Sequence, residues 1–205
     1  MTAPRLRIVL AEDVDLVAEA LESLLVTAFG IDVVQRVGRG DQVLEAVLTH
    51  LPDVAVLDVD MPGLTGIEAA AQIREAAPNC RVLLLTSLPG SGYLHRALAA
   101  GASGYLVKST SGAALADAIR SVAAGGTVID HAMAADALRQ GPSPITPRER
   151  DILRLAEAGH DTEAIAEALY LSPGTVRNYL STSMTKLGAK TRHDAIRVAR
   201  SSGWL

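Results

Sequence analysis

Val54-Ala-Val-Leu-Asp58-Val-Asp-Met-Pro-Gly-Leu-Thr-Gly66 is the stretch that decides the reading of this chain, because an apolar run stops abruptly at a carboxylate. Three other runs stop in the same way: Leu6–Leu10 at Glu12 and Asp13, Val82–Leu85 at Thr86, and Tyr105–Val107 at Lys108. Short apolar strands alternating with helical patterns predict a parallel sheet, whose ligands bind beyond the carboxyl ends of its strands. The polar residues that end these runs are therefore expected to converge on one site.

Strands are predicted near 6–11, 31–37, 53–58, 81–86 and 103–107, with helices near 14–28, 40–50, 65–77, 90–100 and 111–124. In the first helix Val14, Val17, Ala18, Leu21, Leu24, Leu25 and Ala28 recur at helical spacing, and Asp15, Glu19 and Glu22 lie off that stripe. The fifth is almost continuously small or apolar from Ala113 to Ala124, which predicts cover on two sides, by the sheet and by a partner. The expected fold class is α/β: a doubly wound, five-stranded parallel sheet with a second, smaller all-α domain.

Charge gives the chemistry. Glu12, Asp13 and Asp58 repel one another unless a hard cation sits among them, and Mg2+ suits carboxylate oxygens. Asp58 is then a candidate nucleophile toward phosphorus, with Lys108 neutralising phosphoryl oxygens and Thr86 hydrogen-bonding one of them.

These residues resemble the receiver domain of two-component response regulators. The resemblance implies an acidic pair in Glu12 and Asp13, a phosphoacceptor in Asp58, a switch hydroxyl in Thr86, a switch aromatic in Tyr105 and the family's lysine in Lys108. It further implies that Asp60 offers its backbone carbonyl to the metal. Ser109 departs from the acidic residue that often follows the lysine.

Composition narrows the classes. At 205 residues the chain has room for two modest domains, and with hydrophobic residues at 49% but aromatics at 3% its core must be aliphatic. The single Cys80 excludes an intramolecular disulfide and fits a reducing cytoplasm, and the five histidines are scattered without ligand spacing. No segment reads as a membrane span or a cleavable leader, so a cytoplasmic location is expected. The net charge of −4 is unevenly divided: residues 1–145 hold 10 basic and 16 acidic residues, whereas 172–205 hold six basic and one acidic. A local charge of +5 favours a polyanionic partner.

Residues 125–145, with Gly125-Gly126 and Gly141-Pro-Ser-Pro144, read as a linker carrying a short helix near Ala132–Arg139. Thr146-Pro147-Arg148-Glu149 is then a capping box that starts a helix ended by Gly159. Asp161 caps the next, Ser172-Pro173 starts a third that runs to about Leu187, and a fourth spans Thr191 to Arg200. On the third, Val176, Tyr179, Leu180, Met184 and Leu187 fall on one side, and Arg177, Asn178, Ser181 and Thr185 on the other, as a helix reading the major groove requires.

Thr146-x-Arg-Glu149, Glu163-Ala-Ile-Ala166, Ser172-x-x-Thr-Val176 and Lys186-Leu-Gly-Ala189 resemble the LuxR-type helix-turn-helix. By position the resemblance implies base reading by Arg177, Asn178 and Ser181 and phosphate contacts from Thr175 and Lys186; Ser181 stands where lysine or arginine is often found. A receiver joined to this domain resembles the NarL/FixJ-type regulators. Pro89–Lys108, Gly174-Thr-Val-Arg-Asn-Tyr-Leu180 and Gly203-Trp204-Leu205 are similar to the DesR-like subgroup, served by membrane-sensing kinases.

The expected organisation is a receiver at 1–124, a linker at 125–145 and a helix-turn-helix domain at 146–205. The resemblance implies a transcription factor rather than a metabolic enzyme, which catalyses only its own phosphorylation and dephosphorylation. A histidine kinase would phosphorylate Asp58, and the chain would dimerise on double-stranded promoter DNA. The competing readings are a magnesium-dependent phosphatase built on the same acidic pocket, and a regulator independent of phosphorylation.

Overall fold

The computed structural model describes residues 5–87, 91–140 and 143–205. Expectations that touch residues 1–4, 88–90, 141 and 142 lie outside the described residues: the leading segment, Pro89 and Gly90 before the fourth helix, and the Gly141-Pro142 step of the linker.

The first strands and helices follow the predicted alternation: β1 (Arg7–Ala11), α1 (Asp15–Phe29), β2 (Asp32–Val37), a short 3-10 turn at Gly40–Gln42, α2 (Val43–His50), β3 (Val54–Asp58), α3 (Gly66–Ala76), β4 (Arg81–Thr86), α4 (Ser91–Ala99), β5 (Gly104–Val107) and α5 (Gly112–Ala123). The sheet is parallel and its strand order is β2-β1-β3-β4-β5-β6. A sixth strand, β6 (Val128–Ile129), therefore extends the five expected, pairing Val128 with Gly104 and Ile129 with Tyr105 inside what the sequence presents as linker. The chain turns at Gly125, whose φ of 89° lets it double back along β5.

The chain leaves β1 for β2 on one side and returns to β3 on the other, so the order reverses between β1 and β3. In open α/β sheets, such a reversal opens the crevice where ligands bind. Every residue of β3 is buried, so its apolar run carries Asp58 through the middle of the sheet to that crevice. On one face, Ile8, Leu10, Val54, Val56, Leu83 and Leu85 pack with Leu25 of α1 and Leu115, Ile119 and Val122 of α5.

The loop after β3 is held by backbone approach. The N–H of Gly66 donates to Val59 O at 2.9 Å, and a Cβ on Gly66 would lie 2.0 Å from the carbonyl oxygen of Asp58. From the opposite side Gly40 N–H donates to Pro62 O at 3.0 Å, and a Cβ there would lie 1.8 Å from Leu64 O. Thr65 and Glu68 then form a reciprocal capping box that starts α3.

The described residues divide into two compact units, the first ending at Ala134 and the second, apart from the first turn of α4, drawn from Ala135 onward. α6 (His131–Gln140), close to the short helix expected at Ala132–Arg139, crosses that division. It is followed by α7 (Pro147–Glu157), α8 (Thr162–Ala168), α9 (Pro173–Lys186) and α10 (Arg192–Ser201). Thr146, Asp161, Ser172 and Thr191 each accept a backbone N–H at the start of α7, α8, α9 and α10. Ile152, Leu153, Ile165, Val176, Leu180 and Ala195 form the core of the helical unit.

Among the described residues, two other than glycine have positive φ: Leu51 at 47° after α2 and Tyr170 at 54° after α8. A left-handed backbone costs a non-glycine residue about 1 kcal/mol. Among the described residues, no helix is long and apolar enough to cross a membrane.

Candidate functional site

The carboxyl ends of β1, β3 and β5 bring four of the expected residues together. Glu12 and Asp13 directly follow β1, and Asp58 is the last residue of β3. One carboxylate oxygen from each lies within 4.8 Å of the other two. Lys108, just past β5, reaches in from a sequence distance of 96 residues: its Nζ lies 2.7 Å from Glu12 Oε2 and 2.9 Å from Asp58 Oδ2. Lys108 N–H also donates to Thr86 O at 2.8 Å, which fixes the lysine backbone to the end of β4. Thr86 is fully buried at that strand end.

Tyr105 is likewise 0% exposed, on β5 between Leu84 of β4 and Ile129 of β6. Asp60 has an exposed side chain, while its backbone N–H donates to the Asp58 carboxylate. Ser109 is exposed beside the lysine.

Burial is the largest influence on Asp58 and raises its pKa above the usual aspartate value; the Lys108 hydrogen bond and charge oppose this, Glu12 adds to it, and the Asp60 N–H eases it. Burial alone would lower Lys108, but hydrogen bonds to Glu12 and Asp58 and their charges together hold its ammonium above the usual value. Three carboxylates face a single ammonium here, an imbalance that a divalent cation corrects. All-oxygen donors of this kind fit magnesium, with Glu12, Asp13 and Asp58 as the side chains able to hold it.

In the helical unit, α9 sorts its residues as expected. Val176 and Leu180 are buried and Tyr179, Met184 and Leu187 half-buried, whereas Arg177, Asn178, Ser181 and Thr185 are exposed. Thr175 is half-buried, its hydroxyl 2.9 Å from that of Ser172. Lys186, expected to contact a phosphate, is drawn instead toward a carboxylate in the DNA-free structure. Its ammonium lies 2.9 and 2.8 Å from the two oxygens of Glu149, a residue only 2% exposed. The same carboxylate accepts the Thr146 N–H at 2.6 Å and the Thr146 hydroxyl at 3.0 Å.

Glu149 thus ties the start of α7 to the end of α9, a role its place in a capping box does not reveal. Its pKa is lowered: burial pushes it up, but Lys186 and Thr146, through hydrogen bonds and charge, outweigh that push.

A family model for the response regulator receiver domain matches residues 8–120, and one for bacterial regulatory proteins of the luxR family matches residues 143–199. The chain is 38% identical to the transcriptional regulatory protein DesR of Bacillus subtilis over 96% of its own length and 98% of that protein. It is 35% identical to the DNA-binding transcriptional activator DevR/DosR of Mycobacterium tuberculosis, covering 92% of this chain and 91% of that one. The crystal structure of a LuxR-family two-component response regulator from an Aurantimonas species superposes with a TM-score of 0.63 at 31% identity, over 67% of this chain and 98% of that one.

Lys186→Ala leaves the buried Glu149 carboxylate unpaired. A loss of about 2 kcal/mol is expected in the helical unit, below the roughly 3–5 kcal/mol of a fully buried pair because solvent still reaches Lys186. Because the Glu149 pKa is lowered on folding, its contribution to stability is present above the ordinary glutamate range and lost as pH falls through the lowered value. Thermal melts of the parent and Glu149→Gln across that window measure this, and the variant should lose the acid-sensitive component. In DNA titrations Lys186→Ala should leave the salt slope unchanged; a slope smaller by about one would restore the phosphate contact.

Proposed function

The chain belongs to the two-component response regulators that join a receiver domain to a LuxR-family DNA-binding domain, and on that premise we propose that Asp58 takes the phosphoryl group and that its modification pairs two chains on promoter DNA. The observation that carries this reading is the Lys108 ammonium shared by Glu12 and Asp58 at the sheet's ligand-binding edge. A sensor histidine kinase is the donor. The P–N bond of its phosphohistidine breaks as an Asp58 oxygen forms a P–O bond to phosphorus, leaving an acyl phosphate.

Glu12, Asp13, Asp58 and the Asp60 carbonyl would hold magnesium, which would supply positive charge to the phosphoryl oxygens. Lys108 keeps its own charge on the new anion, since the carboxylates hold it protonated. The Thr86 hydroxyl hydrogen-bonds a phosphoryl oxygen, and Tyr105, buried on the neighbouring strand, is the aromatic that registers the change. The receiver catalyses only its own phosphorylation and dephosphorylation, and the protein acts in the cytoplasm, where kinase and promoter are both within reach.

Dimerisation uses the outer face of α5. Leu115, Ala116, Ile119 and Val122 face the core, and Ala113, Ala114, Asp117 and Arg120 are exposed. Small residues beside an Asp117–Arg120 pair, 3.0 Å apart within one helix, make a patch that can meet its own copy about a two-fold axis. In the helical domain at 146–205, Arg177, Asn178 and Ser181 read base edges, with Thr175 beside them at the backbone. The receiver is placed at 1–124 and the connecting segment at 125–145, the latter adding β6 to the receiver's sheet.

Acetyl phosphate, a small donor, should add one phosphoryl group in the presence of Mg2+, as read by intact mass. Uptake undiminished in Asp58→Ala or in excess chelator would remove Asp58 from this role. Light scattering should then show the mass double on phosphorylation and stay monomeric in Ala113→Glu, a position chosen because it is exposed, whereas Ala116 is 0% exposed and a charge there would disrupt the core. For base reading, Arg177→Ala should cost about 1–3 kcal/mol on duplexes selected from genomic DNA and much less on scrambled ones. Equal losses on both would refute it.

A further inference from the structure

We infer that Tyr170 is a DNA contact: its hydroxyl donates a hydrogen bond to a backbone phosphate beside the groove entered by α9. The inference rests on the DNA-reading role proposed above for α9.

Tyr170 occupies a position at which its own chain otherwise prefers glycine. Past the ends of α7, α9 and α10, the chain places Gly159, Gly188 and Gly203, all with positive φ. Past α8 the backbone makes the same left-handed turn, with Tyr170 N–H donating to Glu167 O at 3.2 Å and Leu171 N–H to Ala166 O at 2.8 Å. Glycine makes such a turn without strain, and tyrosine does not. Nothing inside the fold offsets that strain, because Tyr170 is 97% exposed and its ring buries almost no surface. Strain kept without a packing return points to a ligand.

Position and charge select which ligand. Tyr170 sits two residues before Ser172, the cap of α9, so its backbone is held between the end of α8 and the start of the helix that presents Arg177 and Asn178. The segment that follows, 172–205, carries six basic residues and one acidic; Lys186, Arg197 and Arg200 lie in ion pairs with Glu149, Asp194 and Glu157, which leaves Arg177, Lys190 and Arg192 as the positive charges that draw a polyanion to this surface. A tyrosine hydroxyl is among the donors that position proteins on phosphate oxygens, and it does so without adding charge.

The test uses the full chain and a fluorescein-labelled duplex of random sequence, since a phosphate contact is independent of sequence. Tyr170→Gly should melt at a higher temperature than the parent while binding the duplex about threefold to tenfold more weakly, the worth of one hydrogen bond. Tyr170→Phe should bind as weakly as Tyr170→Gly. Neither should change the dependence on salt, because a neutral donor displaces no counterion. Parent-like affinity in Tyr170→Gly overturns the inference, and so does parent-like affinity in Tyr170→Phe, which would assign the contact to the ring. Loss of promoter activity at unchanged DNA affinity overturns it in favour of a protein partner. Failure of the parent to bind the duplex overturns this inference and the DNA-reading role together, whereas failure of the variants alone to differ overturns only this one.

Discussion

Lys108 holds the first unit's chemistry together. Among the described residues its ammonium is the one positive charge placed among Glu12, Asp13 and Asp58, and it reaches them from the far side of the sheet, past β5. That reach requires β1, β3, β4 and β5 to be in register, with Lys108 N–H on Thr86 O as the last fastening. Burial presses on Asp58 and on Lys108. It raises Asp58 and would lower Lys108 were the carboxylates not beside it, so the carboxylates hold the lysine charged while the lysine opposes the push of burial on Asp58. A cluster balanced in this way responds to the arrival of a cation or a phosphoryl group as a unit.

The helical unit uses the same device for a different end. Glu149 is almost fully buried, receives two hydrogen bonds from Thr146 and holds Lys186, so a carboxylate again gathers a lysine distant in sequence. In the first unit the arrangement is open at the strand ends and suited to chemistry. In the second it is closed by a capping box and fixes the angle between α7 and α9. α9, with few buried side chains of its own, chiefly Val176 and Leu180, gains from such an anchor.

Much of this was legible in the sequence, and the reason is locality. Runs such as Val54–Leu57 end at a member of the acidic cluster, and Thr146-Pro147-Arg148-Glu149 or Ser172-Pro173 declare helix starts within four residues, so strands, caps and the acidic cluster follow from short windows. What depends on distant partners was not legible. Lys186 reads as a phosphate contact, and its tie to Glu149 stays hidden because the two are 37 residues apart. β6 hides in a glycine-rich segment because two residues carry no strand period and acquire their structure only by pairing with Gly104 and Tyr105. The small residues of α5 look uniformly apolar, and only packing against α1 and the sheet separates outward Ala113 from inward Ala116.

The separation of 96 residues between Lys108 and Glu12 also has a meaning in time. Domains fold as units during synthesis, from the N-terminal side onward. A nascent chain carries Asp58 long before it carries Lys108, and until β5 has emerged and docked, the acidic cluster lacks its counter-charge and the crevice lacks one wall. The aspartate of an unfinished receiver is therefore an ordinary carboxylate. On the proposed phosphorylation of Asp58, a signal present in the cell during translation can be written only onto chains whose sheet is complete, so the placement of one lysine at the end of the fifth strand would make competence to receive the signal a check on the integrity of the receiver.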